Sequence, residues 1–255
     1  MERGIRLHPI DVKAWFLIID LNFLKLNSIF LIMQSKKVEG ICIADENANC
    51  NECELNGQVL CHFSKEFANK FLWGNILYRA LGTFITILVG YLTGQWWLLP
   101  TYIIAVLVTF SVIEPRLLCC HCPHYAKEGK VLKCWALRGM PKLWKYRPEP
   151  INKTEKKIML LVGGFIDLFP FIAAGVGIFG AFIVGIDGVL SFDMLGLLIV
   201  LTVAFTILAW YLDKFLRGGT CKRCLNFSCA MNKTPEDIRD KFFQKSPTMA
   251  LAWKQ

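Results

Sequence analysis

Charge is scarce in this chain, and so is histidine. Asp, Glu, Lys and Arg make up 19% of 255 residues and there are four histidines, whereas 55% of the residues are hydrophobic and the mean hydropathy is +0.43. So thin a polar complement argues against an ordinary soluble domain, in which about a quarter of residues are charged. The chain has no Walker phosphate loop, no nucleophile elbow, no His-Glu-x-x-His helix and no dinucleotide-binding glycine turn set between a strand and a helix. Kinase and hydrolase readings are left without a motif to carry them. The amino-terminal stretch has no short apolar core followed by a small-residue cleavage site, which argues against a secretory signal peptide.

What is present is apolar length. Four stretches are long and apolar enough to cross about 30 Å of hydrocarbon at 1.5 Å per residue: Leu72–Thr93, Trp96–Leu118, Ile158–Val184 and Phe192–Leu212. Gly94 and Gln95 alone separate the first two, so these form a tight antiparallel hairpin with Trp96 and Trp97 at the far interface. The second pair turns through Gly185–Ser191. Arg79, about two turns inside the first span, is expected to snorkel back to the headgroups along its aliphatic stem. The expected fold is an all-α integral membrane protein of two transmembrane hairpins, with small cysteine-rich knuckles outside the membrane.

The stretch Val12–Met33 is balanced by its own composition. About a dozen apolar residues favour insertion by roughly 0.3 to 0.6 kcal/mol each, while Asp20 and Lys25 oppose it by roughly 2.5 to 3.5 each. The sum is near zero. A fifth span, an interfacial helix and an upstream extension with the true start at Met33 all stay open. The chain divides accordingly into 1–33, a cysteine-rich segment 34–70, hairpin one 71–118, a Cys/His-rich basic loop 119–157, hairpin two 158–212 and a cysteine-rich tail 213–255.

The net charge of +9 is unevenly spread. From Glu114 to Lys157 there are eleven Lys or Arg against four acids, and from Asp213 onward nine against four, whereas the hairpin turns carry neither Lys nor Arg. Basic residues mark the cytoplasmic side, so the cell membrane is the expected location, with the cysteine-rich segments facing the cytoplasm. In that reducing compartment disulfides do not persist, and paired thiols point to metal.

The thiols fall into three sets. Cys50, Cys53 and Cys61, with His62 or Cys42, supply four local ligands. Cys119, Cys122 and Cys134 form the second set and Cys221, Cys224 and Cys229 the third, each one ligand short unless Cys120, His121 or His124 joins or the two sets share ligands. Both follow a hairpin with Cys-x-x-Cys-x-x-aromatic, an internal repeat that would bring the knuckles to one face. Cys-x-x-Cys turns place two thiolates for tetrahedral coordination, and the mixed Cys and His sets favour zinc. An iron-sulfur cluster is the alternative cofactor, since thiols from both repeats could converge without a ferredoxin spacing. Cys42 on its own reads as a small hydrophobe.

Two further features ask for chemistry. In the loop after Cys134, the basic Arg138, Lys142, Lys145 and Arg147 interleave with Trp135, Trp144 and Tyr146, as suits a segment lying on anionic headgroups or holding an anionic ligand. Tethering to a membrane argues against nucleic acid. Asp167, about ten residues into the third span, is an intramembrane carboxylate and a functional candidate by default, near Gly163, Gly164 and Pro170 where the helix could break. Ala173, Gly177, Ala181 and Gly185 form a small-residue packing stripe. Thr234 and Pro235 are expected to start a short tail helix. The functional expectation is a membrane protein whose cytoplasmic thiolate metal sites give structure or dock a protein partner. A membrane redox protein and a soft-metal transporter acting through Cys119 and Cys120 are the alternatives.

Overall fold

The structure, a computed structural model, describes residues 38–45, 48–62, 64–184 and 189–254. The expectation for Val12–Met33 and most of the turn Gly185–Ser191 lie outside the described residues. The described chain is helical with no strands, only the isolated bridges Asn56–Val59 and Val131–Pro141.

Four long helices carry the apolar runs. Helix α1 spans Lys65–Thr93, with the Ser64 hydroxyl accepting from the Phe67 amide at its start. It stops at Gly94, whose φ of 72° is the left-handed conformation that glycine adopts without strain. Helix α2 begins at Leu98, widens into a π turn over Thr109–Ile113 and continues to Leu117. Pro115 sits just after the wide turn; it has no amide to donate and its ring crowds the preceding turn, which is the ordinary origin of such a bulge. Helices α3 (Lys153–Val184) and α4 (Val189–Phe215) form the second pair, and α4 runs into a π turn at Leu216–Thr220. All four are long and apolar enough to cross a membrane. Trp73, Phe84, Leu107, Leu161, Phe179 and Trp210 are exposed on the outside of the bundle, as lipid-facing side chains are.

Helix α1 packs mainly against α3 and α4. Ile85, Val89, Tyr102, Leu198 and Phe205 are buried at the centre. The small residues of α3 sit where expected: Ala173 is buried, and a Cβ at Gly177 would fall 2.8 Å from Val89 and 2.9 Å from Leu198. The triplet Gly175, Gly177, Gly180 has the letter spacing of a dinucleotide fingerprint, but it lies inside this helix, with no strand before it.

Two expectations about polar groups in the spans are corrected. Helix α3 does not break near Asp167; it runs continuously through Pro170. Nor does Arg79 reach back to the headgroups. Pro170 cannot donate to the carbonyl four residues earlier, which frees Ile166, and Arg79 Nη1 donates to that oxygen at 3.3 Å. Its Nη2 pairs with Asp167 Oδ1 at 2.8 Å. The guanidinium is thus held between helices, against the rings of Tyr78 and Phe110.

Among the described residues the long helices number four, so the ends at Lys65, Leu117, Lys153 and Phe215 emerge together, and the three cysteine-rich segments meet there. They form a second core: Ile41, Leu55, Tyr125, Leu132, Leu225 and Phe242 are buried together with Cys120 and Cys134. Short helices α5 (Glu236–Gln244) and α6 (Pro247–Trp253) close it. Helix α5 starts one position later than expected: Pro235 takes the cap position, and the Thr234 hydroxyl donates to Cys224 O at 2.9 Å. The second short helix has no counterpart in the sequence reading.

Candidate metal centre

The first segment turns on itself before entering α1. Cys42–Ala44 is a 3-10 turn, the Cys53 amide donates to Cys50 O at 3.4 Å and the Asn56 amide to Cys53 O at 2.9 Å. These turns put Cys42, Cys50, Cys53 and Cys61 on the wall of one cavity of about 500 Å³, with His62 on its rim. Cys42 and His62, the two candidates for the fourth position, both line this space. Burial, followed by the charges of Cys42, Cys50 and Cys53, pushes the Cys61 thiol up to about 12.

The second segment leaves α2 in two 3-10 turns, Cys119–His121 and Pro123–Ala126. Its two histidines share one pattern. His121 Nδ1 lies 2.6 Å from Glu149 O and its buried Nε2 has no partner; His124 Nε2 lies 2.9 Å from Leu60 O and its buried Nδ1 has none. A carbonyl can accept only from N–H, so each ring keeps the bare nitrogen turned away from its carbonyl. Metal-ligating imidazoles are fixed in this way, the far nitrogen donating to a carbonyl. Burial lowers His124 to about 4, so that its lone pair is free at neutral pH. Cys120 is different: its thiol is buried and donates to Arg116 O on the preceding helical turn.

The third segment follows the π turn. The Asn226 amide donates to Cys224 Sγ at 3.4 Å and the Met231 amide to Cys229 Sγ at 3.4 Å. In the second segment the Leu137 amide donates to Cys134 Sγ at 3.3 Å, and the His124 backbone hydrogen-bonds the Cys122 thiol. Amides aimed at sulfur favour thiolate over thiol. Burial nevertheless dominates: Cys122 is held well above the usual thiol range, Cys134 and Cys229 are raised, and Cys224 stands at about 12. Such thiols are neutral at pH 7 and poor nucleophiles unless a cation replaces the proton.

The segments are stitched to one another. Asn226 Nδ2 donates to Leu118 O at 3.0 Å, the Leu60 amide to Arg223 O at 2.8 Å, and the Ile151 amide to Ser228 Oγ at 3.3 Å. All eleven cysteines are free. Among the described residues, no three His, Cys, Asp or Glu side chains stand in an arrangement that could hold a metal ion as they are. Four cysteines of the first segment line one cavity, and a cation held there would require their sulfurs to draw inward.

The basic loop is folded differently from a strip lying on headgroups. Lys142 is fully buried, its ammonium bonded to Lys127 O and set over the Tyr125 ring, and burial lowers it to about 8. Tyr146 is buried as well, and Arg147 pairs with Glu149 and Glu155 at 2.9 Å each. Arg138 and Lys145 remain on the surface. Trp135 packs edge-on against Phe67 and Phe71 of α1.

Comparison of the chain with protein-family models, curated proteins and solved structures gave no match.

Proposed function

We propose that this is a polytopic membrane protein whose cysteine-rich end domain is held by thiolate-bound cations, zinc foremost, and serves as a structural platform that docks a cytoplasmic protein partner. One observation carries the reading: three cysteine-bearing segments spread over nearly 190 residues, from Cys42 to Cys229, meet at one end of the bundle, where Cys42, Cys53, Cys61, Cys119, Cys120 and Cys134 pack into one core with Leu225 and Phe227 of the third segment. Four line a common cavity, and several others accept backbone amides. The bare nitrogens of His121 and His124 support the same reading. Neutral buried thiols gain a role when a cation displaces their protons, and four such ligands close a structural zinc site. The surplus of Lys and Arg at this end supports a cytoplasmic orientation.

Elemental analysis of the anaerobically purified, detergent-solubilised chain tests the reading. Stoichiometric zinc in colourless protein supports it. Iron with acid-labile sulfide in brown protein replaces it with the electron-transfer alternative, and a metal-free chain overturns it. Labelling of intact cells with an impermeant maleimide tests the sidedness: modification of Cys53 or Cys224 from outside would reverse the orientation.

A further inference from the structure

We infer that the thiols of the second and third segments form one centre shared between the two hairpins, rather than two triads closed separately. The inference rests on the metal-held reading above and adds which ligands act together. Each triad alone is a ligand short of the four that zinc takes. Chain geometry brings the triads side by side. The Asn226 side chain caps Leu118 O, the carbonyl just before Cys119, while the Ser228 hydroxyl accepts from Ile151 at the foot of α3. Leu225, next to Cys224, is buried in the same core as Cys120 and Cys134.

Cys122 lies within electrostatic reach of Cys224 as well as of Cys134, and Cys224 within reach of Cys134 as well as of Cys221 and Cys229. Cys122, Cys134, Cys224 and Cys229, two from each side, each carry a backbone hydrogen bond to sulfur from two or three residues downstream. Cys120 stands apart, its proton given to Arg116 O. Such a centre binds a soft divalent cation when both hairpin exits are present, so that the cation clamps the ends of α2 and α4 together.

The test is the zinc content of the full chain in detergent, loaded with Zn²⁺ alone, for wild type, Cys122→Ala, Cys224→Ala and the double variant. A shared centre predicts that both single variants lose the same amount and that the double variant loses no more. Additive losses overturn the sharing while leaving the metal-held reading intact; a wild type without zinc overturns both. Should the variants fail to fold, the wild type decides. After zinc is stripped, mild oxidation is expected to yield a mass-mappable cross-link between a thiol of 119–134 and one of 221–229, suppressed by restoring Zn²⁺. Cross-links confined within each triad overturn the proposal.

Discussion

Arg79 on α1 and Asp167 on α3 are joined at 2.8 Å, the guanidinium also holding the Ile166 carbonyl that Pro170 leaves without its helical donor. One side chain thus neutralises the half-exposed Asp167 carboxylate on the flank of the bundle and satisfies an orphan backbone oxygen between the helices. Either task alone would be costly in hydrocarbon. Asp167→Asn is expected to destabilise the protein by on the order of 2–5 kcal/mol, since it strands the cation. Denaturation in detergent measures this, and an unchanged midpoint refutes the pairing. Arg79→Met combined with Asp167→Asn is expected to be milder than Asp167→Asn alone, because no unpaired charge remains.

Close helix contact predicts a second effect. A Cβ at Gly82 would sit 2.5 Å from the Tyr102 hydroxyl and 2.9 Å from Pro170, whereas Gly196 faces open space. Gly82→Ala is expected to cost about 1–3 kcal/mol by forcing the ring aside. Gly196→Ala is expected to be neutral or to gain a few tenths of a kcal/mol from helix propensity. Thermal unfolding of the two variants side by side checks the contrast.

The buried ammonium gives a pH signature. Lys142 is lowered to about 8 in the fold from an ordinary value of 10.5, so the unfolded chain binds more protons between those values. Its contribution to stability therefore rises with pH across that window, and below pH 8 the cost of burying the charge is fully present. Lys142→Met removes the cost. The stability advantage of the variant over wild type is expected to be greatest near pH 7 and to shrink as pH climbs from 8 to 10.5. Comparing the two proteins cancels the opposing effect of the thiols, which ionise more easily unfolded than folded. An advantage that stays constant with pH counts against a buried lysine.

Proton release follows from the raised thiols. Cys61 and Cys224 at about 12 are protonated at pH 7.5, so each thiol ligand must shed a proton when zinc arrives. About four protons are expected per cation at an all-cysteine site. Calorimetric titration in buffers of different ionisation enthalpy measures the number, and a value near zero rules out thiolate coordination.

Much of the membrane part was legible because it rests on local properties. Runs of about twenty apolar residues and the Gly94–Gln95 turn are written in consecutive letters, and the helices follow them, extending further at their polar ends. The pairing of Arg79 was hidden, since it depends on an Ile166 carbonyl exposed by Pro170 on another helix. At the candidate site, the grouping of Cys50, Cys53 and Cys61 could be read from spacing, with Cys42 left as an alternative. The burial of Lys142 could not: a lysine amid aromatic residues has the same letters on a headgroup surface as in a core, and Lys127 O, which receives it, lies fifteen residues earlier. The two imidazole carbonyl partners, Glu149 and Leu60, are likewise distant in sequence.

The end domain draws on both extremities of the described chain: the Thr248 amide donates to Gly40 O, and the Trp253 indole to Pro148 O. Biosynthesis inherits that arrangement. The platform cannot close until Pro247–Trp253 has been made, after both hairpins, and removing that helix is expected to leave the thiols of the platform open to modification.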